Sequence, residues 1–391
     1  MMAGLRVLQV SKSTGGVGQY LRWLVNGLDK ERFEVTAVCL SEGGEKLADE
    51  LSQVDGVRAL SLQMERYKIN PLTDAKVWWK LRRLIRRGGF DLIHAHTSKP
   101  GFLARTAAIG SGIPAIYRPA GFAFHDGTSR WKARLYAGVE RLTARYLTQR
   151  IVTVCDEERE LARRYRVGSD EQLVTIHTGI DLCRFDGEFD RRATRQSLGV
   201  PEQAFLFGTV GRLSRQKAPA DFVRAAAMVH EKHPQAHFVW VGDGELQTET
   251  EALVHSLGLQ EVFHFAGLRR DIPAVLQAMD CFVLASHWEG FSLSVLEAMA
   301  ARLPVVMNRV SGAAEAVLDG ETGLIVPIGD VQALAGALEK IISNAEFARE
   351  LGQAGRQRLE QHFTQARMIA NIQELYEQVY AAAARKQDKQ I

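Results

Sequence analysis

The sequence predicts an α/β protein built from two doubly wound domains with parallel sheets. Short apolar runs alternate with amphipathic stretches along nearly the whole chain, as strands and helices do when helices cover both faces of a parallel sheet. The alternation pauses in a polar segment, residues 182–203, and then restarts. The chain has 391 residues, which is more than one hydrophobic core usually holds. We therefore expect one such domain on each side of the pause.

The expected elements can be placed in chain order. In the first half, strands are expected at residues 5–10, 33–40, 57–62, 90–94, 114–117 and 150–154, and helices at about 17–28, 72–87, 101–108 and 130–148. In the second half, strands are expected at residues 205–210, 237–241, 262–265, 281–285, 304–307 and 323–326. The helices of that half are expected at 218–232, 246–257, just before 281, and from 293, 331 and 345, with a long last helix at 367–384.

The composition is that of an ordinary soluble globular protein. Its four cysteines lie far apart and predict neither a zinc site nor a disulfide framework, so a reducing cytosol is expected. The first strand follows the N-terminus at once, with no leader pattern. No run of about 18 apolar residues predicts a membrane-spanning helix.

The net charge of +3 is unevenly distributed. Residues 60–150 hold 17 Lys or Arg and 5 Asp or Glu, a net charge of +12, which leaves −9 for the remainder of the chain. One interpretation is an anionic partner for the first half. The other is a solvated basic face without a partner.

Residues 286–300 hold the strongest candidate site. They follow an apolar strand and lead into a run of helix formers, and ligands of parallel sheets bind at the carboxyl ends of strands. The first amides of a helix also attract phosphate. Glu289 in the loop and Glu297 one turn into the helix could accept hydrogen bonds from hydroxyls on either side of a phosphate. The competing interpretation is a capping box, in which Glu297 bonds back to the Ser294 amide.

Two further motifs follow predicted strands. Gly15 and Gly16 lie in a turn that superficially resembles a P-loop, but the Lys-Ser/Thr expected after the last glycine is missing. The turn can approach a phosphate or sugar closely, or it is simply a tight turn. Arg212 and Lys217 could hold a diphosphate as a fork and a point charge, or they are ordinary surface charges. The chain contains no Asp-x-Asp pair, so we expect no metal.

Histidines form the last candidate group. His94 and His96 end a predicted strand, and His125 lies in a later loop. Zinc is the alternative, but no His-Glu-x-x-His motif or carboxylate triad accompanies them. A histidine at a strand end is more often structural. His96 and His125 are therefore only candidates for contacts with an acceptor substrate.

Together these motifs resemble those of the retaining glycosyltransferases of family 4, which have the GT-B fold. The resemblance covers nearly the whole chain. It rests on the turn at residues 15–17, His-Ala-His at 94–96, His-Thr-Gly-Ile-Asp at 177–181, Gly-Arg-Leu at 211–213 with Lys217, Gly-Asp-Gly at 242–244, and the two glutamates spaced by seven residues at 289 and 297.

The resemblance implies two Rossmann-like domains facing a cleft. Residues 1–185 would bind the acceptor, residues 186–365 would bind a nucleotide sugar, and a last helix at 366–391 would cross back to the first domain. Catalytic roles would fall to Glu289, Arg212 and Lys217. The implied donor-binding set is Gly15, Gly16, Arg212, Lys217, Gly267, Leu268, Arg269, Glu289, Gly290, Phe291, Ser292, Leu293, Ser294 and Glu297.

Within that set the resemblance implies a division of labour. Arg212 and Lys217 would hold the diphosphate, Glu289 the sugar hydroxyls and Glu297 the ribose. Backbone amides at residues 291–294 would reach the sugar and the phosphate. The chain departs from the family at three places. Ala120 replaces a common histidine that contacts the sugar, Thr178 replaces a common asparagine, and Ala218-Pro219 replaces a frequent glycine.

We therefore predict a retaining, metal-independent glycosyltransferase without a cofactor. It would move a hexose or N-acetylhexosamine from a UDP-sugar to a lipid-linked or growing polysaccharide acceptor, and no nucleic-acid partner is expected. Two alternatives stay open: a non-catalytic nucleotide-sugar-binding scaffold, suggested by Ala120, and a GT-B UDP-sugar epimerase or glycogen-synthase-like enzyme. We expect the protein in the cytoplasm.

Peripheral binding to the inner face of the plasma membrane is a further hypothesis. Residues 77–87 and 130–136 read as helices that mix Trp, Leu or Tyr with cations, and basic amphipathic helices lie on anionic lipid surfaces. In the alternative, the apolar residues of the first helix, Trp78, Leu81, Leu84 and Ile85, pack on the sheet.

Overall fold

The computed structural model describes residues 4–43, 46–65, 70–125 and 127–388, with side chains as far as residue 385. Two compact units emerge. Unit 1 holds the described residues up to Thr178 together with those from Gln365 onward, and unit 2 is Gly179–Thr364. The sequence put the first boundary at residue 185. The structure assigns residues 179–185 to unit 2, because the Ile180 amide donates to the Phe363 carbonyl at 3.0 Å and Phe185 is buried.

The described part of unit 1 is built on a seven-stranded sheet with the order β3-β2-β1-β4-β5-β6-β7, and every neighbouring pair is parallel. Its strands are β1 (Leu5–Lys12), β2 (Phe33–Ser41), β3 (Val57–Gln63), β4 (Leu92–His96), β5 (Ala115–Arg118), β6 (Arg150–Thr153) and β7 (Leu173–Thr175). Its helices are α1 (Gly15–Gly27), α2 (Leu47–Leu51), α3 (Pro71–Gly88), α4 (Ser98–Ala107), α5 (Arg130–Leu147), α6 (Asp156–Arg164) and, from the other end of the chain, α15 (Gln365–Asp388).

Three clusters of buried apolar residues stabilise unit 1, and two of them cover opposite faces of β1 and β2. Side chains alternate along a strand, so Val7 and Val35 face one core together with α1 and α15, while Leu8 and Val38 face the other with α3 and α4. Strands that are buried on both faces read as continuous apolar runs. This explains why these strands could be predicted from the sequence.

Unit 2 repeats the architecture with a six-stranded parallel sheet in the order β10-β9-β8-β11-β12-β13. The strands are β8 (Phe205–Val210), β9 (Ala236–Val241), β10 (Phe263–Gly267), β11 (Cys281–Leu284), β12 (Val305–Asn308) and β13 (Leu324–Val326). The helices are α7 (Arg191–Ser197), α8 (Pro219–Lys232), α9 (Gln247–Ser256), α10 (Ile272–Ala278), α11 (Leu293–Ala300), α12 (Ala313–Ala316), α13 (Val331–Ser343) and α14 (Ala345–His362), preceded by a 3-10 turn at Leu182–Phe185.

Aromatic side chains dominate one core of unit 2. Phe207 and Phe238 stack at 5.5 Å between ring centroids, and Phe222 meets both Phe238 and Trp240. Large rigid rings bury much apolar area at a low entropic cost, which holds the strand ends of this sheet in fixed positions.

The predicted fold class, doubly wound parallel sheets in two units, is confirmed. Four elements were missed: the three-residue strand β7, the five-residue helix α2, the four-residue helix α12, and α6, whose sequence Asp-Glu-Glu-Arg-Glu-Leu-Ala-Arg-Arg has little apolar periodicity. Among the described residues, no helix is both long and apolar enough to cross a bilayer.

Candidate active site

The predicted donor residues of the second half lie at or after the ends of three strands of unit 2. Gly267 ends β10, Arg212 and Lys217 follow β8, and Glu289 follows β11. In the sheet order β10-β9-β8-β11 the carboxyl ends of these parallel strands form one edge. That edge is where open α/β sheets bind their ligands.

Glu289 and Lys217 form the centre of this edge. The Lys217 ammonium donates to Glu289 Oε1 at 2.7 Å, and the side chains are 16% and 9% exposed, respectively. The buried hydroxyl of Ser286 donates to the same oxygen at 2.7 Å. A carboxylate with two such donors on one oxygen is fixed in orientation, so both members of the pair are held in place.

Gln216 ties the two loops together. Its side-chain amide nitrogen donates to the Trp288 carbonyl at 3.0 Å and to Glu289 Oε2 at 3.3 Å, and its backbone carbonyl accepts from the His287 backbone amide at 2.9 Å. Sequence reasoning missed Gln216 and Ser286. Their adjacency to Lys217 and Glu289 was the available signal, but the contacts of Gln216 join residues more than 70 positions apart.

The loop after β11 is also anchored from the next strand. Asn308, the last residue of β12, donates its buried side-chain amide to the Ala285 and Ser286 carbonyls at 2.8 and 3.2 Å. These bonds hold Ser286, and through it Glu289, against the sheet.

Arg212 occupies the more open part of the edge. Its guanidinium pairs with Glu245 at 3.0 Å, and its side chain is 43% exposed. Surface ion pairs of this kind contribute about 0–1 kcal/mol, so the guanidinium can exchange its partner at little cost. An incoming anion could therefore replace Glu245 as the ion-pair partner of Arg212.

The loops after β8, β9 and β10 approach each other closely along their backbones. Gly242 has a φ of +131°, and a Cβ there would overlap the Gly211 carbonyl oxygen, so only glycine fits. The Gly242 amide donates to the Gly267 carbonyl at 2.8 Å. Beyond Gly267, Leu268 is exposed and Arg269 pairs with Asp271 at 2.6 Å. The predicted base-binding segment therefore lies on this edge, beside Gly242.

The helix after Glu289 begins two residues earlier than the capping-box interpretation requires. Ser292 is the N-cap of α11, without a side-chain capping bond among the described residues, and its hydroxyl lies 3.1 Å from that of Ser294. Ser294 is therefore already helical, and the capping box is wrong. The first amides of α11, at Leu293 and Ser294, belong to the group that a helix leaves without intrahelical partners.

Gly290 and Phe291 complete the loop before that helix. Phe291 is buried, and its ring centroid lies 5.4 Å from that of Phe363. This packing fixes the loop where it enters the helix.

Glu297 lies one turn into α11 and is half-buried. Desolvation raises its pKa to about 7, with the Arg184 charge opposing the shift. No hydrogen bond or ion pair to its carboxylate is found in the part of the chain that the structure describes. A half-buried carboxyl of this kind can take up hydroxyl donors from a ligand.

In unit 1, Gly15 and Gly16 begin α1 and are exposed. Gly15 has a φ of +61°, which favours glycine at the point where the chain turns from β1 into the helix. The turn leaves both backbones accessible, as a ligand-binding turn requires.

His96 does not fit its proposed role. Its side chain is fully buried in a network of neutral groups, in which its Nε2 bonds to Gln9 at 2.9 Å. Gln9 donates to the Tyr376 hydroxyl at 2.8 Å, and that hydroxyl bonds to His94 Nδ1 at 2.7 Å. Burial, with the Arg118 charge second, lowers the pKa of His94 to about 3. We correct the expectation: His96 belongs to a buried structural network.

The loop at Ala120 is held by a buried carboxylate. Glu158 on α6 accepts from the Gly121 and Val154 amides at 2.7 and 2.8 Å, and burial raises its pKa. Ala120 has a φ of +56°, a conformation that costs an L-residue about 1–2 kcal/mol. His125, half-buried in the same loop, accepts from the Gly127 amide at Nδ1 (3.1 Å) and stays an acceptor-side prediction.

Of the other departures, Ala218 has a φ of +46°, which explains why a glycine is frequent at that position. Thr178 accepts from Arg118 at 2.8 Å. Within the described ranges, no three His, Cys, Asp or Glu side chains group together as metal ligands would.

The two units and this edge define a class of protein. Two doubly wound sheets, one with paired cations, two carboxylates and a helix N-terminus at its ligand edge, are typical of enzymes that bind phosphorylated cosubstrates. The family models agree. "Glycosyl transferase 4-like domain" matches residues 15–179, and "Glycosyl transferases group 1" matches residues 190–358. The chain belongs to the group 1 glycosyltransferases of family 4, which have the GT-B fold.

Similar proteins support the assignment. A D-inositol 3-phosphate glycosyltransferase of Saccharomonospora viridis is 30% identical over 315 residues, covering 75% of this chain and 72% of that protein. UDP-Gal:alpha-D-GlcNAc-diphosphoundecaprenol alpha-1,3-galactosyltransferase of Escherichia coli is 29% identical over 354 residues, covering 89% and 90%. HepE of Anabaena, in complex with UDP and glucose, has the same fold, with a TM-score of 0.81 at 22% identity over 96% of this chain and all of that chain.

The predicted enzyme class is confirmed: the chain is a glycosyltransferase. The scaffold and epimerase alternatives lose their support.

Proposed function

We propose that this enzyme transfers a hexose or N-acetylhexosamine from a UDP-sugar to a lipid-linked or growing polysaccharide acceptor. Transfer retains the anomeric configuration and needs no metal. Unit 2 binds the donor and unit 1 the acceptor. The reaction takes place in the cytoplasm, in keeping with four cysteines that are all free thiols.

The observation that carries the proposal is the Lys217–Glu289–Ser286 cluster at the carboxyl edge of unit 2. A carboxylate offers about four acceptor positions. Lys217, Ser286 and Gln216 use three of them, which leaves room for about one sugar hydroxyl. An ammonium has three donors, and the bond to Glu289 takes one. The same pair can therefore hold a sugar hydroxyl and a phosphate oxygen side by side.

Charge stabilisation is the main task of such a site. In a front-face transfer the bond between the anomeric carbon and the leaving phosphate breaks, and the acceptor oxygen bonds to the same face of that carbon. The acceptor proton passes to the departing phosphate. Lys217, Arg212 and the first amides of α11 supply positive charge for the leaving diphosphate. No nucleophile from the protein is required.

Glu297 is assigned to the ribose of the donor. It follows Glu289, which lies in the loop before α11, by eight residues and lies about one turn beyond the N-terminus of that helix. Its carboxyl has no protein partner among the described residues, so vicinal hydroxyls could satisfy it. The exposed segment at Leu268 and Arg269 is assigned to the edge of the base.

The acceptor assignment is supported by the relative from Escherichia coli, whose name states that it transfers galactose from UDP-Gal to a diphosphoundecaprenol-linked GlcNAc. That protein matches this chain over 89% of its length. We extend its chemistry to this enzyme at the level of substrate class only: a nucleotide diphosphate sugar as donor and a sugar on a polyprenyl diphosphate as acceptor.

The test has two stages. Thermal-shift measurements compare UDP-, GDP- and ADP-sugars, and stabilisation by the UDP series alone is expected. The donor selected in this way is then supplied with a polyprenyl-diphosphate-linked sugar, and the anomeric configuration of the product is read from its NMR coupling constant. An inverted product, or a preference for GDP- or ADP-sugars, contradicts the proposal.

A further inference from the structure

Helix α5 of unit 1 has an inverted distribution of apolar and polar side chains. Its buried face consists of small or polar residues, whereas its exposed face is rich in large apolar ones. The buried residues are Ala133, Ala137, Glu140, Thr143 and Ala144. Five exposed apolar residues share one face, namely Trp131, Leu135, Val139, Leu142 and Tyr146, which are 64%, 56%, 42%, 62% and 66% exposed, whereas the exposed Tyr136 lies outside that face. A surface helix of a globular protein normally turns its apolar stripe inward.

These five residues form one continuous stripe along the helix. They are spaced by four, four, three and four residues, so at about 100° per residue they fall within an arc of about 80°. The stripe extends over about 22 Å of the helix at 1.5 Å per residue. We call these five side chains the α5 stripe.

The inward face explains why the stripe points outward. Glu140 accepts from buried Arg105 at 2.7 Å and from the Tyr117 hydroxyl at 2.8 Å. Rotating the helix would leave a charge buried without its partner, so this ion pair fixes the rotation of the helix. The alanines on either side of Glu140 let the helix lie close to the sheet. The orientation of the stripe is thus set by the core of unit 1.

Cations border the stripe. Five Lys or Arg of the helix are exposed: Arg130, Lys132, Arg134, Arg141 and Arg145. The helix has a single acidic residue, Glu140, and that residue is buried. Lys132 lies 5.5 Å from the centre of the Trp131 ring, and Arg145 lies 5.4 Å from that of Tyr146. The exposed face therefore combines aromatic and aliphatic side chains with purely positive charge.

Helix α3, the other basic helix of this half, is built differently. Val77, Leu81 and Ile85 are buried in the core, with Trp78 and Leu84 packed against it. The packing interpretation is correct for α3. On α3 the large apolar residues left exposed, Leu72 and Trp79, are seven positions apart and form no continuous stripe. The hypothesis of membrane binding is therefore argued from α5.

We infer that the α5 stripe docks on an anionic lipid surface. Aromatic rings and aliphatic side chains enter the boundary between headgroups and acyl chains, and flanking cations meet lipid phosphates. A second copy of this chain is a poorer occupant. Self-pairing of α5 would bring the cations of both copies together, with no exposed carboxylate on the helix to offset them. The inference rests on α5 and not on the proposed substrates.

The experiment is co-sedimentation of the full chain with vesicles in which phosphatidylglycerol progressively replaces phosphatidylcholine, at low and high salt. Binding should increase with phosphatidylglycerol and weaken with salt. One variant, Arg134→Gln/Arg141→Gln/Arg145→Gln, tests the charge. Each cation near such a surface contributes about fivefold in affinity, so this triple variant should bind about a hundredfold more weakly.

A second variant, Leu135→Gln/Leu142→Gln, tests the apolar part and should bind at least tenfold more weakly. Its matched control is Leu257→Gln/Ile328→Gln, two exposed apolar residues of unit 2. Arg349→Gln, an exposed cation of α14, is the control for charge. Both controls should bind vesicles as the unaltered chain does, and circular dichroism checks that every variant is folded.

Three outcomes overturn the inference. One is no binding at any lipid composition, and another is binding that survives both α5 variants. The third is a dimer in analytical ultracentrifugation that the Leu135→Gln/Leu142→Gln change dissociates, without any vesicle binding. UDP binding by the α5 variants, measured by thermal shift, keeps the two proposals separate. If the unaltered chain binds vesicles but not UDP, the proposed function is contradicted and the inference about the α5 stripe is not.

Discussion

The carboxyl edges of the two sheets carry polar residues at equivalent positions but use them in opposite ways. In unit 1, His94 and His96 end β4 in a fully buried, neutral network that Tyr376 of α15 completes. In unit 2, Lys217 and Glu289 keep some exposed surface, remain a charged pair, and lie beside the N-terminus of α11. A polar residue at a strand end can therefore belong to a ligand site or to a structural network. Which of the two it belongs to depends on the segments that pack over it.

The difference shows what distinguishes a site from a structural network. The unit 1 network gains bonds from a helix of its own chain, and although His94 Nε2 and His96 Nδ1 have no hydrogen-bond partner among the described residues, both rings are fully buried. The unit 2 cluster gains its bonds from neighbouring loops and still leaves acceptor and donor positions on Glu289 and Lys217. Four experiments, in order of decreasing expected effect, test whether the unit 2 cluster is a functional site and the unit 1 network a structural one.

The largest effect is expected from Lys217→Ala and from Glu289→Ala. Losing one charge-stabilising contact should raise the barrier by about 2.7–4 kcal/mol, a drop of about 10²–10³ in kcat. Truncation at a strand end leaves no cavity, so these variants should stay folded. The structure adds a cost, because each change leaves a largely buried charge without its partner. Steady-state kinetics and thermal melts measure the two effects.

A double variant separates catalysis from stability. Lys217→Met/Glu289→Gln removes both charges, so its melting temperature should recover towards that of the unaltered enzyme, while its activity stays low. Lys232→Ala breaks an exposed pair with Glu339 in the same unit and is the control. Near-normal transfer by the Lys217 or Glu289 single variants would show that the residue is wrongly assigned.

The second experiment addresses unit 1. Tyr376→Phe removes the hydroxyl that serves both Gln9 and His94, and unsatisfied buried groups should lower the free energy of unfolding by about 2 kcal/mol. Turnover of the enzyme that remains folded should not change. Urea unfolding and kinetics on the same preparation measure both. Tyr380→Phe, on the exposed side of the same helix, is the matched control. A large loss of kcat with unchanged stability would move this network into the active site.

The sequence predicted the sheets well because strands buried on both faces read as unbroken apolar runs. It missed α6, where Glu158 is the inward residue, because no apolar stripe marks that helix. For α5 it predicted the helix but not its rotation, which depends on the ion pair between Arg105 and Glu140. Periodicity identifies two faces of a helix, and only long-range contacts decide which face turns inward.

The same limit applies to the sites. Lys217 and Glu289 could be singled out because each lies in a recognisable motif after a strand. Gln216 acts through a contact between two loops, and the burial of His96 depends on a helix 280 residues further along the chain, which no local pattern reveals.

The third experiment uses the raised pKa of Glu297. Burial raises this pKa to about 7, so between the ordinary glutamate value and pH 7 the folded enzyme holds a proton there that the unfolded chain has lost. Stability from this group therefore falls as the pH rises through that window. Ribose hydroxyls bond more strongly to the ionised form, so the affinity for UDP should improve about fivefold from pH 6 to pH 8.

Titration calorimetry of UDP at several pH values, with and without Glu297→Gln, gives the answer. The glutamine variant corrects for ionisation of the nucleotide, since it shares that ionisation but lacks the carboxyl. If both proteins show the same pH dependence, Glu297 does not contact the ligand in its ionised form.

The smallest effect is expected from removing metal ions: transfer activity should be unchanged by EDTA. The chain contains no Asp-x-Asp pair, and its ligand edge instead places Arg212 and Lys217 after the same strand. Fixed cations can neutralise a leaving diphosphate as a bound metal would. Initial rates are compared in EDTA and in added Mg²⁺ or Mn²⁺, and the Lys217→Ala variant is run in parallel to see whether a metal replaces the missing charge. Loss of activity in EDTA with recovery on adding Mg²⁺ or Mn²⁺ would mean that the two cations do not suffice.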